Sequence, residues 1–135
     1  MRKGIGVIMV VALLLLLIVY QQNPMVPTVN VQEAFDQIKN DSNVVVLDVR
    51  TLPEWNGELG HIENALLIPV QELEQRLGEL EAHKEKTILA VCRSGNRSGR
   101  AAALLNQRGF KAFNVAGGMI DWNDENLPVV RESKK

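Results

Sequence analysis

Hydrophobic and polar positions follow two regimes along the chain. From Gly4 to Tyr20 the stretch GIGVIMVVALLLLLIVY holds no charged residue, and as a helix its 17 residues would reach ~25 Å. That is short for a bilayer core but within the range of spanning helices. The pattern predicts one transmembrane helix, with residues 1–23 as a membrane anchor. Pro24 and Pro27 then mark a stiff linker over residues 24–30, and mixed periodicities fill a folded domain over 31–135.

Within that domain, Val31, Ala34, Phe35 and Ile38 recur at helical spacing behind Asn30, a good cap with Glu33 three residues on. Val44 to Val49 is a continuous apolar, β-branched run of the kind that forms a strand buried on both faces. A second amphipathic helix is expected after Pro69, with Val70, Leu73, Leu77 and Leu80 on one side and Glu72, Glu74, Gln75, Arg76 and Glu79 on the other. Thr87 to Val91 reads as another buried strand and leads directly into Cys92. Ala101, Ala102, Leu104 and Leu105 then give a helix that stops at Gly109, Phe110 to Val115 a strand, and Gly117-Gly118 a turn. Strands alternating with helices imply an α/β domain with a central parallel sheet flanked by helices. In such sheets working residues gather beyond the carboxyl ends of the strands, where Cys92 sits.

Charge sharpens this division. The formal net charge is -1, but the first 23 residues hold only Arg2 and Lys3, which leaves 13 basic against 16 acidic residues beyond them. A domain of that balance lacks the basic footprint of a general nucleic-acid binder, so no nucleic-acid partner is expected. Arg2 and Lys3 precede the apolar run, and no Lys or Arg follows it until Lys39. The positive-inside tendency then places the short end in the cytoplasm and the domain on the extracytoplasmic or periplasmic side of the cytoplasmic membrane, as a single-pass protein. The following QQNPMVP offers no small-x-small cleavage site, which favours an uncleaved signal anchor over a removed signal peptide.

Cys92 is the sole cysteine, so the chain can form neither an internal disulfide nor a Cys-rich zinc site. A lone cysteine is often only a small buried hydrophobe. Its surroundings here argue otherwise. The loop Cys92-Arg93-Ser94-Gly95-Asn96-Arg97-Ser98 follows a strand and opens a helix. Consecutive backbone N–H groups in such a loop can converge as an anion nest, and the positive end of the helix points at the same spot. Arg93, Arg97 and Arg100 add three cations. All three effects favour thiolate over thiol, and would equally favour a persulfide anion.

Four segments resemble the rhodanese sulfurtransferases, over roughly residues 28 to 130. They are Asp48-Val49-Arg50, then Gly60-His61-Ile62 leading through Ala65 to Ile68-Pro69, the Cys92 loop, and Gly117-Gly118-Met119 with Trp122 and Leu127-Pro128-Val129. Two departures stand out: Glu63-Asn64 where the family commonly has Pro-Gly, and a stretch from Glu54 to Gly60 about two residues longer than usual. The resemblance implies a rhodanese-like fold and double displacement at Cys92. The thiolate would take sulfane sulfur from a small anionic donor such as thiosulfate, held by Arg93 or Arg97, and pass it to a thiol or cyanide. It implies a substrate loop of Arg93, Ser94, Gly95, Asn96, Arg97 and Ser98, supported by Asp48, Arg50 and Arg100, with no metal and no organic cofactor. Phosphatases of similar architecture place five residues between Cys and Arg, whereas four separate Cys92 from Arg97. A protein sulfur acceptor and a non-enzymatic persulfide-carrying or docking module are the remaining alternatives.

Other residues read as structural. Asp48 and Arg50 suggest an ion pair bracing the loop, with substrate contact as the other reading. His61 suggests a turn hydrogen bond over a dyad with Cys92, His83 a solvated side chain, and Trp55 and Trp122 packing, with Trp55 in the loop that would border a pocket. Arg100, one turn into its helix, would act through its field alone.

Overall fold

The computed structural model describes residues 2–22 and 25–132. Met1 and Asn23 of the expected anchor, Pro24 of the expected linker and residues 133–135 lie outside the described residues. Helix α1 runs Arg2–Gln22, and every one of its described side chains, Gly4 to Val19, is exposed. Those side chains cover ~24 Å of helix, less than a ~30 Å hydrocarbon core. Among the described residues, no helix is long and apolar enough to cross a membrane.

The segment expected as linker is partly sheet. Thr28–Val29 forms strand β1, parallel to the later strand over 111–115. Val29 points into the core at 8% exposure, which gives this short strand a reason to pair. Helix α2, Val31–Asn40, starts at the expected capping box: Asn30 Oδ1 accepts from Glu33 N–H at 2.8 Å, and Asn30 N–H donates to Glu33 Oε2 at 3.0 Å. Strand β2 is Val44–Asp48, and a four-residue helix α3, Leu52–Trp55, follows it. Strand β3 is only Leu66–Leu67.

The expected amphipathic helix after Pro69 takes a different form. Residues 70–73 are turns, and Glu74–His83 winds as a 3₁₀-helix. Leu73 and Leu80 are both fully buried and hold the segment to the core at its two ends. A 3₁₀ rise of ~2.0 Å per residue spreads those anchors further than an α-helix would, and Gly78 between them weakens α-helix propensity. His83, expected in solvent, is half-buried where the chain turns into the next strand, and its Nδ1 has no protein partner.

Strand β4, Thr87–Val91, leads through the Cys92 loop into α4, Asn96–Gln107. Strand β5, Lys111–Val115, and helix α5, Gly118–Asp124, complete the domain. The strand order is β1-β5-β4-β2-β3, with every pairing parallel. Side chains alternate across this sheet. Ile88, Ala90 and Cys92 face the cluster that holds Leu73, Leu80, Ala101, Ala102 and Leu105, while Leu89 and Val91 face the one that holds Ala34, Met119 and Trp122. The register of β4 therefore sends Cys92 to the side of the sheet covered by α4.

Candidate active site

Cys92 is the first residue after the central strand β4 and is only 1% exposed. Its Sγ accepts hydrogen bonds from Gly95 N–H at 3.0 Å and Ser98 Oγ–H at 3.2 Å. Gly95 makes the first of these by adopting φ 104° as the N-cap of α4, a conformation that L side chains rarely take. Ser98, on the first turn of α4, is fully buried, and its Oγ also lies 2.7 Å from Asn114 Oδ1 on β5. A hydroxyl has one proton, so Ser98 donates to one acceptor at a time. A thiolate at Cys92 would draw that proton toward sulfur.

Burial pushes the Cys92 thiol up. The Ser98 hydroxyl and the backbone N–H groups of Ser98, Gly95 and Ser94 more than offset it, and the thiol is held below its ordinary value. Of the nest inferred from the loop's small residues, Gly95 N–H is the backbone donor within hydrogen-bond distance of sulfur, and Ser98 Oγ–H joins it there.

The Gly117-Gly118 pair keeps the loop in place from the other side. Met119 N–H donates to Cys92 O at 2.8 Å, and Ile120 N–H donates to Arg93 O at 3.0 Å. Gly118 has φ +56°, and a Cβ there would lie 2.4 Å from Cys92 O and 2.7 Å from Arg93 O. These two glycines open helix α5, not a simple turn.

The cations around the loop are not equivalent. Arg50 is 1% exposed, and its fork is filled from within the protein: Nε and Nη2 bind Asp48, Nη2 reaches Gly60 O at 2.8 Å, and Nη1 reaches Glu54 O at 3.3 Å. With Asp48 fully buried beneath it, this pair ties the end of β2 to the loop that follows α3. Arg97, expected as a holder of the donor's charge, is engaged elsewhere. Its two terminal nitrogens each meet one oxygen of Glu54 at 2.7 Å. Hydrogen bonds from Arg97, against some desolvation, hold the Glu54 carboxyl down at about 2. Thr51 Oγ donates to Glu54 Oε1 at 3.1 Å and helps fix it.

Arg93 is exposed and has no ion pair among the described residues. It lines a cleft of about 290 Å³ together with Arg50, Glu54, Gly57, Glu58 and Leu59. Ser94 and Asn96 are exposed on the outer side of the loop, and Arg100 is exposed one turn into α4. His61 Nδ1 lies 3.3 Å from Trp55 O, and its ring stacks on Trp55 at 3.7 Å between centroids. Trp122 is buried, donates from Nε1 to Pro128 O at 2.9 Å, and meets Phe35 edge-on.

Two contributors to this site were not singled out in the sequence. Glu54 carries a readable signal, the Thr51-x-x-Glu54 capping pattern with Pro53 between, but that pattern does not disclose the partner 43 residues away. Asn114 sits inside an ordinary strand and gives no local signal.

A cysteine in a donor nest at a strand end, beside an exposed arginine, matches a known family: residues 31–125 correspond to the Rhodanese-like domain. The chain belongs to the rhodanese-like domain family. Among solved structures, a rhodanese-related protein from Thermoplasma volcanium is 35% identical, with a TM-score of 0.70 over 78% of this chain and 99% of that one. Among curated proteins, YrkF of Bacillus subtilis, named as a sulfur carrier protein, is 36% identical over 98 residues, which cover 72% of this chain and 51% of YrkF. A tRNA uridine(34) hydroxylase of Escherichia coli is 34% identical over 99 residues, 67% of this chain and 28% of the hydroxylase. This chain thus spans about half of the first relative and less of the second. The family match supports general sulfur-transfer chemistry for the cysteine loop.

Proposed function

We propose that this rhodanese-like protein is a sulfurtransferase that works through a persulfide on Cys92. The observation that carries the reading is the pair of donors on Sγ, Gly95 N–H and Ser98 Oγ–H, around a thiol held below its ordinary value. The thiolate attacks the sulfane sulfur of a small donor such as thiosulfate. The donor's S–S bond breaks, sulfite leaves with the electron pair, and Cys92–S–S⁻ remains. A thiol or cyanide then removes the outer sulfur and regenerates the thiolate. A sulfur atom is a narrow cargo, which suits a cysteine almost wholly covered by its loop.

The same persulfide could be carried to a protein acceptor without free turnover, and the likeness to a sulfur carrier protein favours keeping that second reading. The proposal also includes a membrane anchor. Helix α1 is 21 residues long, and its exposed apolar side chains face outward on all sides, which an aqueous environment does not favour. Arg2 and Lys3 at its start support a cytoplasmic amino end and a domain outside the cytoplasmic membrane.

Steady-state assay with thiosulfate and cyanide is expected to release thiocyanate, and Cys92→Ser is expected to stop it. Thiocyanate release that survives Cys92→Ser would overturn the assignment. Negligible turnover by a chain that still forms the Cys92 persulfide would favour carriage over catalysis.

A further inference from the structure

The charges around the Cys92 loop and in the cleft that Arg93 and Glu54 share bear on which donors the site accepts, given the persulfide reading above. Arg50 is enclosed by Asp48 and two carbonyl oxygens. Arg97 gives both terminal nitrogens to Glu54 at 2.7 Å, and Glu54 remains a carboxylate down to about pH 2. Glu58 adds a further negative charge to the cleft wall. Arg93 is exposed there and has no ion pair among the described residues.

Thiosulfate brings two negative charges to a nucleophile that is itself an anion, and sulfite leaves with two. Balancing the charge of such a donor calls for more than one free cation. A perthiol, R–S–S–H or its anion, carries at most one negative charge, which Arg93 alone can balance.

We infer that Glu54 sets the donor class of this site: by occupying Arg97, it leaves a mouth suited to persulfides of small thiols or proteins in preference to oxyanionic sulfane donors. Glu54 is a positioning residue in this scheme, acting through Arg97 without touching the reacting sulfur. In the favoured reaction the Cys92 thiolate attacks the outer sulfur of R–S–S–H and forms Cys92–S–S⁻. The donor's S–S bond breaks with its electron pair going to R–S, which takes the proton and leaves as R–SH. No oxidant or reductant enters, and charge is conserved.

The test measures single-turnover loading of the full chain in detergent, with thiosulfate and with cysteine persulfide as donors. Each rate is normalised to that of the same donor with free cysteine thiolate, which removes intrinsic donor reactivity. The wild-type chain is expected to show a normalised preference for cysteine persulfide. Glu54→Gln, which removes the charge but keeps an acceptor for Arg97, is expected to raise thiosulfate loading about tenfold, equivalent to ~1.4 kcal/mol. Persulfide loading should change less than about threefold, a split that general loosening of the loop would not produce.

A wild-type preference for thiosulfate would overturn the inference, and it needs no substitution to be measured. So would a folded Glu54→Gln chain whose two rates rise or fall together. Loading from cysteine persulfide at a normal rate in either case would leave the sulfur-transfer reading standing. Loading from neither donor would remove that reading, and this inference with it.

Discussion

Ser98 is the side chain that donates directly to the reacting sulfur. Its hydroxyl reaches both Cys92 Sγ and Asn114 Oδ1, and it is the largest of the influences that favour the thiolate. Ser98→Ala removes that donor, so the titration midpoint of Cys92 should move up, toward or beyond the ordinary value of 9.0. Alkylation rate followed against pH would show it, and an unmoved midpoint would assign the lowering to the backbone N–H groups alone. The Asp48–Arg50 pair makes a different prediction. Both side chains are buried, so truncating either leaves a charge without its partner, at a cost of ~3–5 kcal/mol in urea unfolding. The Glu54–Arg97 pair adds a pH dependence. Glu54 titrates at about 2 in the fold against an ordinary 4.5, so its stabilisation is complete above about 4.5 and is lost as pH falls through about 2. Glu54→Gln should flatten acid unfolding over that window.

At the scale of elements, the loop is held between the N-terminal turns of α4 and α5. Gly118→Ala would place a Cβ against Cys92 O and strain a residue at φ +56°. A loss of ~1–3 kcal/mol is expected, together with slower alkylation of Cys92 as the nest opens; thermal unfolding and thiol reactivity would show the two effects side by side. The elements that could be read in the sequence are those whose periodicity runs long enough to register. Residues 44–48, 87–91 and 111–115 are strands within or close to their expected limits, and α2 begins at the Asn30 box. Helices α3 and α5 span four and seven residues, too few for a helical period to stand out. The 3₁₀ winding of Glu74–His83 was hidden for another reason: the spacing of Leu73, Leu77 and Leu80 suits an α-helix, and tertiary anchoring set the rise. The Cys92 loop was legible because its chemistry is local, one strand end and one helix start. The engagement of Arg97 was not, since its partner comes from a different part of the chain.

The whole molecule joins a rhodanese-like domain to helix α1, whose described side chains, Gly4 to Val19, are all exposed. If α1 anchors the chain, the full-length protein should stay with the membrane fraction after alkaline carbonate washing, and a domain-side tag should be accessible from outside the cytoplasmic membrane. Release by carbonate, or a tag reached only from the cytoplasm, would reverse that placement. The proposed chemistry turns on one sulfur atom bound to Cys92. Mass spectrometry of the intact protein after exposure to a sulfane donor tests it most directly. A gain of about 32 Da that maps to the Cys92 peptide, disappears on addition of a thiol or cyanide, and is absent from Cys92→Ser is the predicted result. No gain from any sulfane donor, or a gain that persists in Cys92→Ser, would contradict it.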